Sequence, residues 1–116
     1  MGGRHIIVLT TYSGAKTGAA ITRALLGARL AACVQVLPIR STFPWKGGVS
    51  RSRETLMLIK ARSRDFGRIE RVILESHDYE VPEIVSVPID RGFAGYLAWM
   101  DRVTRRAAAR RGRARR

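Results

Sequence analysis

The sequence predicts an α+β domain of the ferredoxin-like, split β-α-β-β-α-β type, extended by a C-terminal helix. Three observations carry this. Apolar residues run at strand spacing in four places and at helix spacing in three. Two of the strand-like runs follow each other with no helix between them, only a Gly-containing turn and a short charged segment, which marks a hairpin. Each remaining strand is separated from its neighbour by a helix, as a crossover requires.

His5-Ile6-Ile7-Val8-Leu9-Thr10-Thr11-Tyr12 is β-branched and apolar enough for a buried central strand, and Ser13-Gly14 breaks it. From Thr17 the period changes: Ile21, Ala24, Leu25 and Ala28 fall on one helical face, with a weak stop near Gly27. Ala31 to Phe43 is the longest extended stretch. Pro38 inside it cannot donate a ladder bond, so a bulge or a sheet edge is expected there. Pro44 to Gly48 is the expected turn, with Gly47 and Gly48 free to adopt positive φ. Beyond a charged Ser50–Glu54 segment, Thr55 to Arg62 returns as the second hairpin strand, so a long hairpin reaching past the sheet from Ile39 to Arg53 is expected.

Ser63 or Asp65 is placed to cap a helix whose stripe is Phe66, Ile69, Val72 and Ile73. The junction His77-Asp78-Tyr79-Glu80-Val81-Pro82-Glu83 ends it, because Pro82 forces Val81 out of helical geometry. Glu83 to Ile89 is the fourth strand. Tyr96, Leu97, Trp99, Met100 and Val103 give the last helix its apolar surface.

At 116 residues the chain is the size of one domain, and its 46% apolar content builds a core without staples. No run reaches the ~18 apolar residues of a membrane span. One cysteine, Cys33, and a start without a leader-like apolar stretch give the expectation of a cytoplasmic protein. Net charge is +13, unevenly spread: residues 1–104 hold 15 basic and 9 acidic groups, while 105–116 hold seven arginines and no acid. The expectation is a folded body over 1–104 and a disordered arginine-rich tail over 105–116. Such a tail attracts nucleic acid non-specifically and reads no sequence, since it has no aromatic to stack on a base.

Four motifs in order resemble the CutA divalent-cation tolerance family: Leu30-Ala31-Ala32-Cys33-Val34, Ser41 to Gly47 around Trp45-Lys46-Gly47, His77 to Glu83, and Tyr96-Leu97-x-Trp99. The resemblance runs from His5 to Val103. It implies a homotrimer similar in architecture to PII signalling proteins, tied to tolerance of copper and other divalent cations and without an established catalytic activity. It also implies copper ligation through a first-strand cysteine and a histidine pair. Here those positions are Thr10 and Ser76-His77, so one of the three ligands is present.

From the residues alone, His77 is the best donor for copper or another divalent cation, with Glu80 or Glu83 beside it. Cys33 is a secondary candidate, though a cysteine in an apolar strand is more often a small hydrophobe. Cys33, His77 and Glu83 could be assembled as a nucleophile–base–orienter set, but nothing in their spacing demands it, so the expectation is a protein that is not an enzyme. A cleft between subunits is the other candidate site: Trp45, Lys46, Lys60, Tyr79, Glu83 and Trp99 combine aromatic walls with charges suited to a small anion. For the two tryptophans, packing between subunits is the simpler reading. For Lys60, solvated and functional readings weigh equally.

Overall fold

The computed structural model describes residues 3–106. His5–Tyr12 forms β1, Ala15–Gly27 α1, Cys33–Trp45 β2, Gly48–Arg62 β3, Phe66–Ser76 α2, Ile84–Pro88 β4 and Ala94–Val103 α3. The four strands make one antiparallel sheet in the order β2-β3-β1-β4, the ferredoxin-like arrangement.

Period-2 alternation sorts the strand residues between two faces. Ile6, Val8 and Thr10 of β1 share a face with Met57, Ile59 and Ala61 of β3. That face is buried under Ile21 and Leu25 of α1 and Ile69 and Ile73 of α2. Burial of such side chains at roughly 1.5–3 kcal/mol each supplies the main driving force for folding.

The hairpin is long, as expected, and more regular than its sequence reads. The β2–β3 register runs unbroken from Cys33↔Lys60 to Trp45↔Gly48, so Pro38 creates no bulge. It is tolerated because β2 is an edge strand, whose prolines can point their missing donor outward. The charged Ser50–Glu54 segment is strand as well. Within the expected Pro44–Gly48 turn, the residues that turn are Lys46 (φ 48°) and Gly47 (φ 79°), and Gly48 already begins β3. Positive φ at both positions is the type I′ geometry that matches strand twist.

Helix ends differ from the cap assignments. α1 closes with Arg29 at φ 56°; Leu30 N–H donates to Leu25 O (3.0 Å) and Arg29 N–H to Leu26 O (3.1 Å). This is a Schellman stop, with buried Leu30 packed towards buried Leu25. α2 has no side-chain cap. Ser63–Asp65 is a 3-10 turn, and Asp65 is drawn into the core instead.

Candidate functional site

The second sheet face carries Ile7, Leu9, Leu56, Leu58, Val85 and Val87, with Leu37 beside them. Two structures trim its ends and leave the middle uncovered. At one end α3 folds over the strand termini. His5 Nε2 lies 2.9 Å from Asp101 Oδ1, Arg62 Nη2 donates to Thr104 O at 3.1 Å, and Lys60 Nζ stands 5.8 Å from the centre of the Tyr96 ring. Trp99 lies against Tyr96, their rings 5.5 Å apart. Helices α1 and α2 therefore cover the first face, while α3 sits at one end of the second.

At the other end the predicted junction meets the middle of the hairpin. Tyr79 Oη donates to Glu54 Oε2 at 2.6 Å, and Ser41 Oγ donates to Glu54 Oε1 at 2.6 Å. Since the phenol proton is committed to the carboxylate, Ser13 Oγ is the donor in its 2.5 Å bond to Tyr79 Oη. Burial pushes the Tyr79 phenol above its ordinary value; the bond to Glu54 and the charges of Glu54 and Asp78 push the same way, and Ser13 opposes them.

His77 is enclosed in this junction, its side chain inaccessible to solvent. The Tyr79 amide donates to its Nδ1 at 3.0 Å, which makes Nδ1 an acceptor. Nε2 therefore carries the proton and donates to Thr11 O at 2.7 Å. Asp78 Oδ1 at 3.5 Å from Nδ1 faces it acceptor to acceptor. The ring also packs on Tyr79, 4.6 Å between centres. Both nitrogens are thus in use.

Within one chain the predicted site residues fall into three separate groups. Trp45 and Lys46 sit at the hairpin tip, with Lys46 Nζ 5.7 Å from the Trp45 ring centre. His77 and Tyr79 sit at the junction. Lys60 and Trp99 sit at the α3 corner, 12 residues along β3 from the tip, or about 40 Å. Glu83 is exposed and makes no side-chain hydrogen bond among the described residues. Cys33, opposite Lys60, lies an intervening strand and four register positions away from Thr11, to which His77 is bound. Among the described residues no group of three or more His, Cys, Asp or Glu side chains converges as a metal site would. The network members Ser13, Ser41 and Glu54 escape sequence reasoning, since nothing in a run such as Arg51-Ser52-Arg53-Glu54 distinguishes one carboxylate from a solvated charge.

Comparison with known proteins fixes the relationship. The family model described as CutA1 divalent ion tolerance protein matches residues 6–103. The divalent-cation tolerance protein CutA of Archaeoglobus fulgidus is 34% identical over 97 residues, 84% of this chain and 95% of that protein. The protein of the same name from Thermus thermophilus is 37% identical over 95 residues, 81% of this chain and 92% of that one. Among solved structures, the periplasmic divalent cation tolerance protein CutA from Archaeoglobus fulgidus superposes with a TM-score of 0.84 at 33% identity, covering 87% of this chain and 99% of that one. CutA1 from a psychrotrophic Shewanella gives 0.84 at 35% identity, covering 89% and 97%.

One expectation is overturned here. A relative this similar is a periplasmic protein, so a cytoplasmic location does not follow from the sequence. The single cysteine behind that expectation carries no compartment information, because one thiol makes no intrachain disulfide in either redox environment. With a family match over residues 6–103 and a superposable fold, the chain belongs to the CutA1 divalent ion tolerance family.

Proposed function

We propose that the protein works as a homotrimer of the divalent-cation tolerance type, acting by binding and assembly rather than by catalysis. The observation that carries this reading is the uncovered middle of the second sheet face, where Leu37, Val85 and Val87 are 44%, 47% and 43% exposed. Contiguous apolar surface of this kind on a soluble chain marks an association surface. The projecting hairpin supports the same reading: the radius of gyration is 15.9 Å, against about 13 Å for a compact domain of this length. Sister copies would cover both features. Light scattering in dilute, moderately salted buffer tests it. The expected mass is that of three chains, and a mass of one chain with an undiminished melting temperature overturns it.

Copper, or another divalent cation, is then bound weakly. A cation that takes His77 must displace either the Thr11 carbonyl or the Tyr79 amide, and Cys33 enters only from elsewhere in the assembly. Calorimetric titration with copper compares the wild type with His77→Gln. A weaker isotherm in the variant supports the assignment, and identical isotherms remove His77 from it.

A second reading, a PII-like module taking a small anion at the clefts between subunits, rests on Lys46 and Lys60. Each lies over an aromatic ring, and neither pairs with a carboxylate among the described residues. Thermal shift across a panel of small anions separates the two readings, since a flat panel removes this one.

A further inference from the structure

Arginines gather where the sheet's strands β1 and β3 meet the 3-10 turn. Arg4 precedes β1, Arg62 ends β3, and Arg64 lies in the turn. With Gly3 and Ser63 they line an open-mouthed cavity of about 290 Å³. The backbone fixes the two segments together, Ser63 N–H donating to Arg4 O at 2.8 Å. Arg4 and Arg64 are exposed, and Arg62 is half-buried. Arg62 Nη2 is spent on Thr104 O, while its Nε–H is shut off from solvent with no hydrogen-bond partner among the described residues.

A buried N–H normally finds an acceptor; among the described residues the Arg62 Nε–H has none, and no carboxylate pairs with Arg4, Arg62 or Arg64. Asp65, the nearest acid in sequence, is turned inward and held by Arg106 and Arg68. Asp101 is held by His5. Residues 107–116 contain no acidic side chain that could supply one.

We propose that this cavity binds a phosphate-bearing anion. Guanidinium groups present planar forks of donors that match phosphate oxygens and remain charged at any physiological pH. The Ser63 hydroxyl adds a neutral donor in the lining. The volume lies just below the roughly 300–1,000 Å³ of small-molecule sites, which suits phosphate groups rather than a large apolar ligand. The same chemistry is offered by a free polyphosphate and by the backbone of a nucleic acid. Every residue of the lining comes from one chain.

The test uses the full chain, with sodium tripolyphosphate and a short single-stranded oligonucleotide as separate calorimetric probes. The variant is Arg4→Gln/Arg64→Gln; both side chains are exposed and make no hydrogen bond among the described residues, so the melting temperature is expected to stay put. Tripolyphosphate is expected to bind once per chain and to weaken about tenfold or more in the variant. Arg62→Lys, which keeps the charge and loses the planar fork of donors, is expected to weaken it as well. If only the oligonucleotide binds and the variant loses it, the proposal stands with nucleic acid as the phosphate source. Equal binding by wild type and variant assigns the anion to other arginines and overturns the proposal. So does absence of binding by both probes.

Discussion

Arg106 grips Asp65 at two points: Nη2 to Oδ1 at 2.8 Å and Nη1 to Oδ2 at 3.3 Å. Asp65 is wholly buried, and Arg68 Nη1 at 3.3 Å is its other partner. Arg106 Nη1 also reaches the carbonyls of Arg29 (3.0 Å) and Thr104 (3.3 Å). One side chain thereby ties the end of α1, the end of α3 and the turn before α2.

Removing that side chain leaves a desolvated carboxylate with one partner. Breaking a buried ion pair from one side costs about 3–5 kcal/mol, and Arg68 keeps the figure towards the lower end. Arg106→Ala is therefore expected to destabilise the protein by about 3 kcal/mol, read as a lower urea midpoint at unchanged m-value. Adding Asp65→Asn should recover part of the loss, because the stranded charge disappears. A loss below about 1 kcal/mol in the single variant would show that Asp65 is not dependent on this partner.

The Tyr79–Glu54 bond makes a different prediction. Tyr79→Phe removes two hydroxyl bonds and leaves Glu54 with Ser41 alone, at a cost of about 1–2 kcal/mol near neutral pH. It also changes the alkaline limb. A phenol raised above its ordinary 10.0 in the fold ionises first in the unfolded chain. Its contribution is fully present below about pH 10 and lost as pH rises through the folded value. The variant's stability should fall less steeply there. Some slope remains, because burial raises Tyr12 too. Melting curves across that range decide it, and parallel limbs would refute the assignment.

Legibility followed the physics of each signal. The core was readable because Ile21, Leu25, Ile69 and Ile73 repeat at helix spacing and the strands alternate, and periodicity survives any tertiary detail. The sheet order came from connection rules rather than from any residue. The hairpin's reach from Ile39 to Arg53 was legible, but the strand pairing of Ser50–Glu54 was not, because the segment is polar and an exposed ribbon accepts polar groups on either face. Asp65 looked like a cap for the same reason any aspartate before a helix does; its partner lies 41 positions away and belongs to a run that composition reads as one block. The candidate site was legible as a junction around His77 and Tyr79. Its chemistry was not, because which protons a histidine and a phenol commit depends on Thr11, Ser13 and Glu54, brought there only by the fold.

Arg29 offers a stabilising change. It holds the left-handed position of a Schellman stop, where a side chain with Cβ costs roughly 1–2 kcal/mol relative to glycine. Its carbonyl bond from Arg106 survives substitution, and the side chain gives up only a 3.5 Å contact with Arg105 O. Arg29→Gly is expected to raise stability by about 0.5–1 kcal/mol, the glycine's extra unfolded freedom offsetting part of the relief. Thermal unfolding that moves down instead would show that the side chain contributes more than the conformation costs.

Thr10 separates packing from metal chemistry at the first-strand position. It is fully buried between the sheet and the helices, and its Oγ1 has no hydrogen-bond partner among the described residues. A hydroxyl left in that state costs about 1–3 kcal/mol, and valine fills nearly the same volume without it. Thr10→Val is therefore expected to raise stability by about 1 kcal/mol, since the β-branched methyl also suits a central strand. Copper titration of the same variant gives the second readout. If the hydroxyl takes no part in holding a cation, the isotherm matches that of the wild type while the melting temperature climbs. A weakened isotherm would make Thr10 a ligand, and a lowered melting temperature would mean that the hydroxyl is satisfied by something that packs against this face.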